Sequence, residues 1–134
     1  MSDSVSHEPS QPANDPGTRW EIEFYEDILK RNPDYVEVLA VLGSLYTGNR
    51  MYRKGLHVDQ RLAQLKQDDP IIQYNLACSH SLLNQADKAL EVLKKAVELG
   101  YGDVDHMSQD TDLDNLRSDP RYAEIVDRIR CRNA

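Results

Sequence analysis

Residues 69–99, DPIIQYNLACSHSLLNQADKALEVLKKAVEL, decide the fold of this chain. Asp69 is a residue type that caps helix N-termini, and Pro70 suits the first helical position because the N–H it lacks has no intrahelical partner there. The stretch therefore begins with a predicted helix. Upstream, Asn32-Pro33 and Gly48-Asn49 separate further segments whose apolar residues recur at helical spacing.

The sequence repeats itself with a period of about 34 residues, a length that marks stacked supersecondary units. Shifted by this repeat period, residues fall on partners of like size and character: Leu42 on Leu76, Gly43 on Ala77, Gly55 on Ala89, and Leu56 on Leu90. The small pairs matter because antiparallel helices approach most closely where side chains are small. We therefore predict two consecutive helical hairpins.

The repeat has a recognisable pattern. Leu42-Gly43-x-x-Tyr46, followed by Gly55 in the next helix, resembles the tetratricopeptide repeat, as does the later run Leu76-Ala77-x-x-His80 with Ala89. The resemblance implies an all-α fold in which antiparallel helical hairpins stack as a short solenoid. It divides the chain into a partial repeat at 18–32, repeat 1 at 33–67 and repeat 2 at 69–100. Asp59 departs from the pattern, which has a large apolar residue there.

The two ends of the chain differ from the repeats. Residues 1–17 contain three prolines among polar residues and are predicted to form a disordered tail. After Leu99 the repeat register is lost. Residues 101–134 resemble the terminal segment of bacterial tetratricopeptide arrays, and we expect them to cap the exposed apolar face of the last hairpin. Residues 18–134 are then one domain.

The composition limits the partners and the compartment. The chain of 134 residues has 16 Lys and Arg and 23 Asp and Glu, a net charge of −7. This charge disfavours nucleic acids and anionic lipid surfaces as partners. The longest apolar stretch is about twelve residues, short of the roughly twenty that span a bilayer. With two cysteines and no secretory signal, we expect a cytoplasmic protein with reduced thiols.

No residue pattern predicts a metal site, a cofactor or an active site. Asp110, Asp112 and Asp114 occupy the first three ligand positions of a calcium-binding loop, but Asn115 stands where glycine is needed and Arg121 where the bidentate glutamate belongs. We therefore expect these aspartates to cap helices in a solvated loop. The four histidines show no pairing at metal spacing. We expect His80 to be a packed ring within its hairpin, and the chain not to be an enzyme.

The resemblance implies a concave groove lined by the first helix of each hairpin. At the corresponding positions the sequence has mainly small and apolar residues: Glu37, Ala40, Val41, Ser44, Ile71, Tyr74, Asn75 and Cys78. The family's carboxylate clamp for chaperone tails is not expected here, because only Asn75 matches it. We predict a non-catalytic adaptor or scaffold that binds a protein or peptide in this groove, with Tyr74 as the anchor.

A second hypothesis remains open, in which the chain is a self-associating structural module. Stacked hairpins need about three repeats for stability, and the sequence supplies barely two and a half, so a second copy could complete the stack. Trp20 is expected to shield the exposed end of the first hairpin, with a role as partner anchor as the alternative. The arginines near Cys131 are expected to form a solvated face.

Overall fold

A computed structural model describes residues 15–134 and shows an all-helical protein. Its elements are α1 (Pro16–Arg31), α2 (Val36–Gly48), α3 (Tyr52–Leu65), α4 (Pro70–Leu82), α5 (Ala86–Glu98), α6 (Val104–Gln109), a 3₁₀ helix (Thr111–Leu116) and α7 (Pro120–Asn133). The described residues contain no strand, which confirms the predicted all-α fold class. Most of the predicted disordered tail lies outside the described residues. The described residues form two compact units that divide between Leu62 and Ala63.

The first helix begins earlier than the sequence pattern indicates. Asp15 is its N-cap and accepts hydrogen bonds from the backbone N–H of Thr18 at 2.9 Å and from the Thr18 hydroxyl at 3.0 Å. Pro16 and Gly17, expected in the tail, are therefore the first residues of α1. The helix ends at Arg31, before Asn32-Pro33, as predicted.

In the first unit, α2 packs its apolar side inward and keeps a glycine at the contact with α3. Val38, Leu39, Leu42, Gly43 and Tyr46 are the buried residues of α2. A Cβ atom at position 43 would lie 2.8 Å from Oδ1 of Asp59, a buried carboxylate on α3. The glycine thus provides the space for Asp59, the residue that departs from the repeat pattern.

A side-chain hydrogen bond links α1 to α2 within the first unit. The Tyr46 hydroxyl donates to Oε2 of Glu26. Burial, together with this carboxylate, raises the pKa of Tyr46. Lys54 of α3 is 3.9 Å from the same oxygen of Glu26. The middle of α1 is therefore fixed by a polar cluster as well as by its buried residue, Ile22.

The second unit has one apolar core shared by the α4–α5 hairpin and the C-terminal segment. The fully buried contact residues of the hairpin are Ala77, Ala89, Leu93, Ala96 and Val97. The C-terminal segment contributes to the same core through Tyr101, Met107, Leu113, Leu116, Tyr122, Ile125 and Ile129. The segment therefore covers the hairpin, as a cap must if the end of a repeat array is not to expose apolar surface.

Helix starts keep the repeat period beyond Leu99, where the sequence register was expected to end. First helices begin at Val36, Pro70 and Val104, and second helices begin at Tyr52, Ala86 and Pro120. The expectation of a lost register was wrong because it relied on side-chain identity. The C-terminal segment retains the spacing of a third hairpin, but its first helix is divided into α6 and the 3₁₀ helix.

The two hairpin turns have the same backbone geometry. Arg50 and Asn84 lie one repeat period apart and adopt left-handed conformations, with φ of 63° and 60°. In each turn the residue after the left-handed one donates a backbone hydrogen bond to a carbonyl near the end of the helix. The Met51 N–H donates to the Tyr46 carbonyl at 2.8 Å, and the Gln85 N–H donates to the His80 carbonyl at 3.0 Å. This is the Schellman arrangement, which satisfies carbonyls at a helix C-terminus. The repeat is thus present in the backbone as well as in the sequence.

An arginine of α7 caps the C-terminus of α5. The guanidinium of Arg132 donates to the carbonyl oxygens of Val97 at 2.8 Å and Tyr101 at 2.7 Å. A cation at this end also complements the helix dipole. Arg132 is exposed, as the expected solvated face requires, and its guanidinium also helps to hold the closing helix in place.

Candidate functional site

The predicted site residues of α2 lie on one exposed stripe in the first unit. Glu37, Ala40, Val41 and Ser44 are all exposed and follow helical spacing, so they share a side of the helix opposite the buried Leu39 and Leu42. Val41 is 41% exposed although it is a large apolar residue. These four residues are accessible to a partner, as the groove prediction requires.

The predicted site residues of α4 fall into two groups in the second unit. Ile71 and Asn75 are exposed, and Ile71 retains 55% of its surface. Tyr74 and Cys78 are buried, at 3% and 5% exposure. The prediction that Tyr74 and Cys78 line an open groove is wrong, because the C-terminal segment covers this side of α4.

Tyr74 is a core residue held by two contacts from the C-terminal segment. Its ring stacks on Tyr101 with centroids 4.3 Å apart and planes 8° from parallel. Its hydroxyl donates to Oδ2 of Asp110 at 2.6 Å. Burial, reinforced by the neighbouring acidic groups, raises the pKa of Tyr74. An aromatic side chain with a polar end is well suited to such a position, since the ring is dry and the hydroxyl has a partner.

Asp110 is the centre of a polar cluster that joins Cys78 of the predicted groove to the aspartates that were expected to cap helices. Besides the Tyr74 hydroxyl, its Oδ2 atom lies 3.7 Å from Sγ of Cys78 and 3.4 Å from Nε2 of His106. Asp112 adjoins the same cluster. Burial, with the charges of Asp110 and Asp112, raises the pKa of the Cys78 thiol. Burial and then the charge of Asp110 raise the pKa of Asp112.

Sequence reasoning assigned these residues separately, with Cys78 in the groove and the aspartates in a loop. One sequence signal could have joined them. Asp112 lies one repeat period after Cys78, and Asp110 lies one repeat period after Leu76, so both aspartates continue the register of α4. Asp110 therefore occupies a position at which both repeats have leucine.

The aspartates of the C-terminal segment cap helices, as expected. Asp103 accepts from the N–H of His106 at 2.9 Å, Asp110 from that of Asp112 at 3.0 Å, and Asp119 from that of Arg121 at 2.9 Å. The bonds from the side chain and backbone of Arg121 lower the pKa of Asp119 to about 2. The expectation of a solvated loop is wrong, since α6 and the 3₁₀ helix fill this region.

The histidine of the second hairpin is packed, as predicted. His80 is buried, and its Nδ1 lies 2.7 Å from Oε1 of Gln85 in the adjoining turn. The ring thus contacts the hairpin turn. Cys78, two residues earlier on α4, contacts Asp110 of the C-terminal segment.

The first helix exposes an aromatic pair that includes Trp20, the residue expected to shield the end of the first hairpin. Trp20 and Phe24 stack with centroids 5.3 Å apart, and they remain 64% and 46% exposed. The buried residue of α1 is Ile22, on a different side of the helix. The prediction that Trp20 shields the first hairpin is therefore wrong. The apolar face was misassigned because α1 has apolar residues around most of its circumference.

Comparison with known proteins supports the fold. No protein-family model matches the chain. A chloroplastic protein of Arabidopsis thaliana is 31% identical over 87 residues, which is 63% of this chain and about a quarter (26%) of that protein's length. The solved structure of MamA MSR-1 C2, a protein with tetratricopeptide repeats, superimposes with a TM-score of 0.63 at 17% identity, over 89% of this chain and 71% of that one.

The chain has a tetratricopeptide-like helical-repeat fold. The structural likeness agrees with the regular 34-residue spacing of the helix starts in this chain. None of the described helices has both the length and the apolar character needed to cross a bilayer.

The assignment of Tyr74 to the core can be tested by removing its hydroxyl. Tyr74→Phe keeps the ring stacked on Tyr101 but deletes the hydrogen bond to a carboxylate, and we expect the free energy of unfolding to fall by about 1–2 kcal/mol. Urea unfolding followed by circular dichroism measures the change. Tyr35→Phe, at an exposed tyrosine, is the matched control and should change stability by less than about 0.5 kcal/mol. A Tyr74→Phe protein as stable as the wild type would contradict the assignment.

Proposed function

We propose that this chain is a non-catalytic protein-binding module and that its partner contacts the exposed stripe of α2. The observation that supports the proposal is that the exposed residues of α2 carry far less charge than those of α5. The exposed residues of α5 are all charged: Asp87, Lys88, Glu91, Lys94, Lys95 and Glu98. The exposed stripe of α2 has one charged residue, Glu37, and continues through Ala40, Val41 and Ser44.

The uncharged stripe has the composition of an interface. The buried centre of protein interfaces is depleted in charged residues, whereas ordinary solvated surface is rich in them. Scattered apolar residues on a surface need no explanation, but Val41 belongs to a stripe that lacks charge from Ala40 to Ser44, a little more than one helical turn. The tetratricopeptide-like fold supports the same proposal, since the family resemblance implies partner binding by the first helix of each hairpin.

The first helix of the second hairpin offers a smaller contact of the same kind. Its exposed residues are Ile71 and Asn75. Asn75 lies one repeat period after Val41, and Ile71 lies one repeat period after Glu37, so they occupy equivalent repeat positions. Taken within the second unit alone, we propose that Ile71 offers an apolar contact and that the Asn75 amide can donate and accept hydrogen bonds with a partner backbone. Tyr74 and Cys78 have no part in this surface.

The proposal predicts the effect of a charge on the stripe. Val41→Glu places a carboxylate where the partner would exclude water, and we expect capture of the partner from native lysate to weaken at least tenfold, about 1.4 kcal/mol. Quantitative mass spectrometry of the captured proteins measures it. Glu91→Lys on the charged face of α5 is the control and should capture the same proteins as the wild type. Equal capture by the Val41→Glu and wild-type proteins, with unchanged helical circular dichroism, would refute the proposal.

The exposed Trp20–Phe24 pair favours a second candidate, self-association through α1. Aromatic residues anchor many interfaces, and these two rings are already stacked, so little conformational freedom remains to be lost on binding. The occupant proposed is a second copy of the chain.

Sedimentation equilibrium separates the two candidates. Self-association predicts a dimer that becomes monomeric in the Trp20→Ala, Phe24→Ala double variant and persists in Val41→Glu. A wild-type chain that is monomeric at high micromolar concentration would exclude it and leave the partner-binding proposal as the account of the exposed surfaces.

A further inference from the structure

The polar cluster around Asp110 brings together side chains of the types that bind transition metals. Sγ of Cys78 and carboxylate oxygens of Asp110 and Asp112 all lie within 4.8 Å of one another. Nε2 of His106 is 3.4 Å from Oδ2 of Asp110. The thiol belongs to α4, His106 to α6 and Asp112 to the 3₁₀ helix, and Asp110 lies between the last two elements as the N-cap of the 3₁₀ helix. All four lie in the second unit.

The donor types match those of a tetrahedral zinc site, and two of the separations between them fall in its range. Zinc is held by cysteine sulfur at about 2.3 Å, histidine nitrogen at about 2.0–2.1 Å and carboxylate oxygen at about 2.0–2.2 Å. Donors at the corners of such a tetrahedron lie roughly 3.3–3.7 Å apart. The Cys78–Asp110 separation of 3.7 Å and the His106–Asp110 separation of 3.4 Å fall in this range. His106 is not part of the group of three whose donor atoms all lie within 4.8 Å of one another, so its exposed ring would have to turn toward the other ligands to complete the site.

We propose that Cys78, His106, Asp110 and Asp112 form a site for zinc or a similar divalent transition metal. A thiol and an imidazole distinguish this set from the all-oxygen sites of calcium, which needs six to eight ligands. The proposal therefore differs from the calcium-binding loop that the aspartate spacing suggested, since Asp114 is exposed and pairs with Arg117 at 3.0 Å.

The local sequence supports a ligand-binding role over a packing role. Asp110 stands at the repeat position where Leu42 and Leu76 are buried, and the helix is interrupted there between α6 and the 3₁₀ helix. A carboxylate in place of a core leucine costs stability unless it is paired, and here the Tyr74 hydroxyl and the backbone N–H of Asp112 pair with it. The described residues donate no hydrogen bond to the carboxylate of Asp112, although it is partly buried beside Asp110. Departures of this kind from the fold's own pattern are typical of functional sites.

Metal binding at this site would fasten the C-terminal segment to α4. On binding, the Cys78 thiol loses its proton to solvent and the sulfur takes a metal bond in place of its contact with Asp110. Tyr74 keeps its hydrogen bond to Asp110 and so orients that carboxylate. Because the four ligands come from two segments far apart in the chain, the folded chain should bind the metal far better than the unfolded chain and be stabilised by it.

Cobalt titration of the metal-free full-length chain, under reducing conditions, tests the proposal. We expect one Co²⁺ per chain, with the strong visible bands of tetrahedral cobalt and a thiolate-to-cobalt charge-transfer band, both displaced by Zn²⁺. Cys78→Ser should abolish the charge-transfer band, and Asp112→Asn should weaken binding at least tenfold. The matched controls are Cys131→Ser, at the exposed cysteine, and Asp105→Asn, at an exposed aspartate of α6. Both should bind as the wild type does.

Unfolding in the presence of zinc gives an independent readout, in case Cys78→Ser is poorly folded. Zinc at about one hundred times its dissociation constant should raise the folding equilibrium constant of the wild-type and Cys131→Ser proteins about 100-fold, and that of Asp112→Asn much less. The proposal is overturned by a weak octahedral cobalt spectrum, by a thiolate band that depends on Cys131 instead of Cys78, or by Asp112→Asn binding as tightly as the wild type.

Discussion

The close approach of two helices at small side chains is the constraint on which the rest of this structure depends. In the second hairpin Ala77 and Ala89 are fully buried, and Leu93 and Val97 close around them. In the first hairpin Gly43 leaves room for the carboxylate of Asp59. Because interiors are close-packed, a larger residue at these points must separate the helices or displace a neighbour. The helix spacing within each hairpin, and with it the position of each exposed stripe, follows from these contacts.

Much of the fold could be predicted because its signals are local. Asp69-Pro70, Asn32-Pro33 and the repeat period placed the helix boundaries closely, since caps and turns act through neighbouring backbone atoms. The period beyond Leu99 could not be predicted from side-chain identity, because the third first-helix position contains Asp110 where the others have leucine. Only the helix starts at Val104 and Pro120 show that the register continues.

The candidate site was less predictable because it depends on which helix faces are covered. The exposure of Ala40, Val41 and Ser44 follows from their spacing relative to the core residues of α2. The burial of Tyr74 follows instead from Tyr101 and Asp110, residues far along the chain whose contact no helical periodicity reveals. Trp20 was expected to shield the end of the first hairpin, yet α1 turns it to solvent, and helical spacing alone does not reveal which side of α1 is covered.

Enlarging one small residue at the hairpin contact shows whether close helix packing determines this fold. Ala89→Leu adds three carbons at a position with no free surface, whereas Ala123→Leu makes the same change at an exposed position of α7, with little difference in helix propensity. Urea unfolding should show a loss of about 1–3 kcal/mol for Ala89→Leu and less than about 0.5 kcal/mol for Ala123→Leu. Equal stability of the two variants would contradict the claim that small residues at this contact determine the fold.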